Sequence, residues 1–365
     1  LCAMNWKSKV TIVVVALVVL SASYAVYVFN PSATGGTVLT IYTYSSLFTS
    51  APNVSAVNST VFGGFEREYH VRINLVRIEG TQNMLEQLIK QKSNPQADLV
   101  IGLTNLQAPQ AVNSGVLLNY TPPNLAYVPG YLVNDLDPTH HLVPYEYAPI
   151  TVDYCNLSSS LASNLSFTML ENPVFARQLV VENPSIDSTG LSFLIYQAVF
   201  YQYILHENWQ SWWRSISTYV RVVPTWDDAF TIFPTNGYNM VVSYGTDPAY
   251  FNYFGGYPGC GTSAVHFNGK TYTWLEIEGI GIVKGAKHLA LAQAFENWFL
   301  SSTVQSEIPE GEWMFPANSI VPLPPVFSHA VSAEGTVVLN SLVNQTQIAL
   351  NVTSLVQDWV KLMAT

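Results

Sequence analysis

The chain has 365 residues, 49% of them hydrophobic and only 10% charged, with 14 Lys and Arg against 24 Asp and Glu for a net charge of −10. Such a composition excludes intrinsic disorder, and the acidic balance argues against a generic nucleic-acid binder, which needs a Lys/Arg surplus. Only one run is long and apolar enough to span a bilayer, so a polytopic membrane protein is also excluded, and an aromatic content of 13% is left to explain.

That run is Val10 to Phe29, preceded by Lys7 and Lys9. Basic residues before an uncharged stretch of this length predict a retained anchor or a cleaved signal, with the rest of the chain exported. Ser21-Ala22-Ser23 is a weak cleavage site, which favours the anchor, and Asn30 to Gly36 reads as a flexible linker. Beyond residue 37 there are two cysteines, Cys155 and Cys260, an even pair that fits either a disulfide or two buried thiols. Seven Asn-x-Ser/Thr sequons, at Asn53, Asn58, Asn119, Asn156, Asn164, Asn344 and Asn351, fit an extracellular glycoprotein; chance from an Asn-rich composition is the competing explanation.

Val38–Tyr44 is an apolar, β-branched run and predicts a strand, followed by a helix over Phe62–Tyr69 and an alternating strand over Val71–Ile78. Met84, Leu85, Leu88 and Ile89 form a helical stripe within Thr81–Lys92, and Ala97–Leu103 reads as a buried strand. This β-α-β-α-β order predicts a parallel sheet covered by helices. Leu142–Tyr154 is long enough to cross between two lobes. The order then repeats: strand Gln178–Glu182, loop Asn183–Gly190, helix Leu191–His206, helix Trp209–Ile216, strand Val220–Val223, helix Asp227–Phe233 and strand Met240–Tyr244. Trp274–Val283 alternates and returns toward the first lobe, and helices over Leu289–Leu300 and Leu350–Met363 complete the chain. The expectation is two buried parallel sheets in two α/β lobes, with a cleft between them where ligands bind.

Enzyme signals are poor. There is no G-x-S-x-G, HExxH or P-loop, Cys155 has no base nearby in sequence, and the His140-His141 pair reads as a loop. The expectation is a protein that is not an enzyme and has no metal. Asp227-Asp228 is expected to face water at a helix start. Aromatics at strand ends are the better signal: Tyr42, Tyr44, Tyr145, Tyr147, Trp226, Tyr244, Tyr250 and Trp313. Each alone is commonly core, but several together at cleft-facing ends fit a cage for a flat cationic ligand. Asp187-Ser188-Thr189-Gly190 opens a helix, where free N–H groups take either a cap or an anion.

In this order, LTIYTYSS (39–46), ADLVIGL (97–103), VPYEYAPITVDY (143–154), VENPSIDSTGLSFLIYQAVFY (181–201), TWDDAF (225–230), VVSYGTDPAY (241–250) and IPEGEWMFPAN (308–318) resemble the thiamine-binding proteins of ABC importers. The resemblance implies a type II periplasmic-binding-protein fold: α/β, two-lobed, with a ligand cleft between lobes, preceded by one N-terminal transmembrane or signal helix. The implied organisation is 1–37 anchor or signal with linker, 38–147 first lobe, 148–273 second lobe, 274–317 return to the first, and 318–365 packing on the second. It implies capture of thiamine or its phosphates by aromatic stacking between closing lobes, and delivery by a monomer to a membrane permease on the extracytoplasmic face. The implied ligand-binding residues are Tyr44, Glu79, Asp187, Ser188, Trp226, Tyr244, Tyr250 and Trp313, with hinges near Tyr147–Thr151 and Leu275–Glu278.

The chain departs from the family in three places. Glu79-Gly80-Thr81 stands where the family has Glu-Asp-Gly, a Trp-Gly-Pro-Gly segment is missing, and Asp187 replaces a hydroxyl residue. A carboxylate at 187 repels phosphate, so unphosphorylated ligand is expected. The alternatives are a binding protein for iron or a polyamine, or a surface protein that has kept the fold and lost transport. No Tyr-Tyr pair of the kind iron relatives carry occurs, and Glu79, Asp187 and Asp247 are the few cleft carboxylates this reading finds for a polyamine.

Overall fold

The computed structural model describes residues 36–364. The Val10–Phe29 anchor or signal lies outside the described residues. Within them, strands and helices alternate in an α/β arrangement with one mixed sheet.

The sheet runs, by first residue, in the order Arg72, Val38, Leu99, Lys270, Val143, Met240, Leu179, Arg221. The expectation of two separate parallel sheets is corrected here. Val38–Tyr44 pairs in parallel with Arg72–Ile78 and Leu99–Thr104, and Leu179–Glu182 pairs in parallel with Arg221–Val223 and Met240–Tyr244. Between these sets lie two long strands, Val143–Cys155 and Lys270–Val283, antiparallel to each other and to the strands flanking them. Both long strands are buried along most of their length. Their N–H and C=O groups must be paired, and mutual pairing joins the two parallel sets into one ladder.

Two main apolar cores sit on this sheet. One gathers Leu39, Ile41, Phe65, Leu85, Ile101, Val143 and Tyr145 with Ile277, Ile280, Phe295 and Phe299. The other gathers Ile150, Val152, Phe193, Tyr196, Trp212, Trp213, Val242 and Trp274 with Trp359 of the last helix. Along the first long strand the change of core falls between Ala148 and Ile150, and along the second between Trp274 and Leu275. These positions are neighbours in the ladder, where Trp274 pairs with Ile150 and Leu275 with Pro149.

Local chemistry sets the helix starts. Val54–Tyr69 begins eight residues before the expected Phe62, because the Asn53 side chain caps it by accepting from the Ala56 amide. Thr225 and Asp228 form a reciprocal capping box on Trp226–Ile232. Asp228 is therefore a cap as well as a solvent-facing acid. Ser188–Val199 is capped by Asp187 and continues as a π-turn to Leu205. Cys155 and Cys260 form a disulfide between paired strands.

Candidate ligand-binding cavity

A cavity of about 270 Å³ opens beside Tyr244, whose ring packs against both cores. It is lined by six aromatic rings, Tyr44, Trp226, Phe230, Tyr244, Tyr250 and Trp313, and by six carboxylic acids, Glu146, Asp187, Asp227, Asp247, Glu278 and Glu312, with no Lys, Arg or His. Seven of the eight site residues expected from sequence line it. Glu79 does not: it is exposed, and the next residues, Gly80 and Thr81, form the wall instead.

Tyr44 ends its strand and is seated by Gly102 on the neighbouring strand. A Cβ there would stand 2.3 Å from the Tyr44 ring, and Gly102 adopts φ +102°. The Tyr44 hydroxyl donates to Glu312 Oε2 at 2.7 Å and lies 3.2 Å from the hydroxyl of Tyr145, which donates to Glu278 at 2.8 Å. Burial, then the surrounding Glu146, Glu278 and Glu312, hold both phenols well above their ordinary range, so each stays a donor.

On the other side, Trp226 follows the Thr225 cap. Its indole N–H donates to Ser243 Oγ at 2.9 Å, and its ring stacks on Phe230 at 4.8 Å. Ser243 in turn donates to Asp247. Tyr250 meets Trp313 edge to face at 5.4 Å. Trp313 is 3% exposed, in the left-handed region at φ +57°, with its N–H on the Ser50 carbonyl and its ring parallel to Phe327. A bulky residue in that conformation is strained, and such residues concentrate at ligand sites. Much of its ring is packed against protein, so Trp226 and Tyr250 offer more free aromatic surface. Tyr244 donates to Glu276 at 2.8 Å and meets Thr189 Oγ1 at 2.9 Å.

Asp187 occupies the N-terminus of its helix. Its carboxylate accepts from the Thr189 amide at 2.9 Å and the Trp226 amide at 3.3 Å. Burial raises its pKa to about 6, against the lowering effect of those amides. Burial likewise raises Glu276 to about 7 and Glu312 to about 8, and drives Glu146 and Glu278 well above the carboxylate range.

Four of the six lining acids were missed by sequence reasoning. The count of few cleft carboxylates is corrected by Glu146, Asp227, Glu278 and Glu312. One signal could have found two of the buried acids: Glu276 and Glu278 interrupt the apolar run LEIEGI two residues apart, which places both on one face of a buried strand.

No family model matches the chain. The chain is 27% identical over 349 residues to the thiamine-binding periplasmic protein of Brucella suis biovar 1, spanning 92% of this chain and 95% of the relative. It is 25% identical over 291 residues to the thiamine-binding periplasmic protein of Escherichia coli K12, spanning 78% of this chain and 82% of the relative. Among solved structures, a periplasmic thiamin binding protein superposes with a TM-score of 0.77 at 22% identity, covering 92% of this chain and 99% of that one. The chain thus resembles thiamine-binding periplasmic proteins in sequence and shares the fold of a periplasmic binding protein.

Proposed function

We propose that the chain is an extracytoplasmic solute-binding protein that captures thiamine, or a closely related flat cation, and delivers it to the permease of an ABC importer. The observation that carries this is the lining: six rings and six acids with no basic side chain. Flat cations gain from aromatic faces, and an acidic enclosure in low dielectric strengthens that attraction. The relatives' names point the same way.

In this reading the segments 38–147 and 274–317 form one lobe and 148–273 the other, with 318–365 packed on the second. The lobes hinge where Pro149 pairs with Leu275. The Gln82 amide donates to the Ile186 carbonyl at 3.1 Å, a contact between the two walls that opening would break. The N-terminal run holds the monomer at the membrane surface.

The number of carboxylic acids favours a second reading, a polyamine as ligand. Tryptophan-fluorescence titration separates the two. Thiamine should perturb Trp226 and Trp313 emission at micromolar concentration, with spermidine far weaker. Replacing Trp226 by Ala should weaken thiamine by roughly tenfold, about 1.4 kcal/mol. No response up to millimolar thiamine overturns the reading, and tight spermidine binding replaces it with the second.

A further inference from the structure

Trp226 and Tyr250, the rings with the most free surface in the cavity, sit on two different short helices, Trp226–Ile232 and Asp247–Phe254. Stacking on a flat ligand is strongest where the rings are fixed before the ligand arrives, because ordering them on binding costs affinity. The first helix is poorly anchored for this: Asp227, Asp228 and Thr231 are exposed and Trp226 itself is only half-buried. One hydrogen-bond relay ties both helices to the sheet. The Trp226 indole N–H donates to Ser243 Oγ at 2.9 Å. The Ser243 hydroxyl has a single hydrogen, which goes to Asp247 Oδ2, so it is an oxygen lone pair that the indole meets. The same carboxyl oxygen accepts from the Tyr244 amide at 3.3 Å. With two donors aimed at it, Oδ2 is an acceptor, and the relay keeps its direction whether or not the other carboxyl oxygen holds a proton.

Ser243 is fully buried in the strand Met240–Tyr244, which pairs with a neighbour on each side. Asp247 lies one helical turn before Tyr250. Both rings are thus referred to the same rigid strand. Phe230 stacks on Trp226 at 4.8 Å and sets the tilt of the indole, and the bond to Ser243 selects the rotamer by deciding which edge of the ring points into the sheet. We propose that Ser243, held by Asp247, is a positioning residue that presets Trp226, with Tyr250, as the stacking wall for the ligand. Asp247 lines the cavity, so its substitution would also alter the charge that a ligand meets. Ser243 does not line the cavity, so it acts on a ligand only through its partners.

The role of Ser243 rests on the proposed function, and the test separates the two. Thiamine is titrated calorimetrically into the full chain, into Ser243→Ala, into Trp226→Phe and into the double variant. A phenyl ring has no N–H to anchor. Ser243→Ala should weaken thiamine about fivefold where Trp226 is present, the worth of one hydrogen bond, and less than about twofold in the Trp226→Phe background. An equal loss in both backgrounds, or no loss from Ser243→Ala alone, overturns the inference and leaves the proposed function standing. A second measurement needs no Ser243 variant. In the NMR spectrum of the wild-type chain, the Trp226 indole N–H, identified by its loss in Trp226→Phe, should exchange with solvent at least about tenfold more slowly than the indole of free tryptophan. Exchange as fast as in free tryptophan overturns the inference even where Ser243→Ala fails to fold. Absence of thiamine binding by the wild type overturns the proposed function, and the positioning role with it.

Discussion

Glu146 and Glu278 stand directly opposite each other in the ladder between the two long strands. Like charges at facing positions of a sheet repel, and burial makes each ionised carboxylate costlier still. Both carboxyls are therefore pushed toward the protonated form, and protons become part of both stability and binding.

Stability of the ligand-free protein should fall as pH rises. Burial holds Asp187 at about 6, Glu276 at about 7 and Glu312 at about 8. Unfolded carboxyls titrate near about 4. Between those limits the folded chain binds more protons than the unfolded one, so stability is full near the unfolded value and is lost as pH climbs through the folded ones. Thermal unfolding should show a higher midpoint at about pH 5 than at about pH 8, and a protein more stable at pH 8 would contradict this.

Cation binding should run the other way. Glu146 is faced by Tyr44 from the first strand, Tyr145 from its own strand, Glu278 from the second long strand and Glu312, with Arg77 and Asp227 acting on Glu312 beyond. The acids of this set hold protons that a cation displaces to solvent. Thiamine affinity should rise several-fold between about pH 6 and pH 8, and calorimetry in buffers of different ionisation enthalpy should register proton release. A flat pH profile would show that the cation binds without engaging these acids.

Asp187 should decide against phosphate. Its carboxylate fills the helix N-terminus that would otherwise attract an anion. Asp187→Ser keeps a capping oxygen and removes the charge. It should raise the affinity for thiamine monophosphate, relative to thiamine, by about tenfold. Competition titrations with the two ligands measure the ratio, and an unchanged ratio assigns phosphate exclusion to another group.

Gly102 should be intolerant of a side chain. A Cβ would meet the Tyr44 ring at 2.3 Å, in a backbone conformation that L residues rarely adopt. Gly102→Ala should cost roughly 1–3 kcal/mol of stability. By shifting Tyr44 off Glu312 it should also weaken thiamine about tenfold. Denaturant unfolding and fluorescence titration read the two effects, and a variant with wild-type affinity would show that Tyr44 placement is immaterial.

Much of the fold was legible because its signals are local. The apolar runs at Val38–Tyr44 and Met240–Tyr244 coincide with strands, and Trp209–Ile216 with a helix. The Val54 helix start was not, since its cap is a single Asn and its first turns are filled mostly by Val, Ser, Asn and Thr, which are weak helix formers. The aromatic half of the site was visible because Trp and Tyr stood out at strand ends. Beyond Asp187 and Asp247 the acidic half was not, because Glu146 and Glu312 sit 166 residues apart in sequence and show their shared wall only after folding.

By itself the sequence determined the alternation of strands and helices, the aromatic residues at strand ends, and a charge balance that favours a cation over an anion. These follow from periodicity and composition, which are properties of neighbours along the chain. Only the tertiary structure decided that the two long strands join a single mixed sheet, that Cys155 bonds Cys260, and that Glu146 and Glu278 face each other in the cavity wall. Each depends on which distant backbone or side-chain groups meet. A hydrogen bond is a relation between two groups, and a lone residue in a sequence shows only one of them.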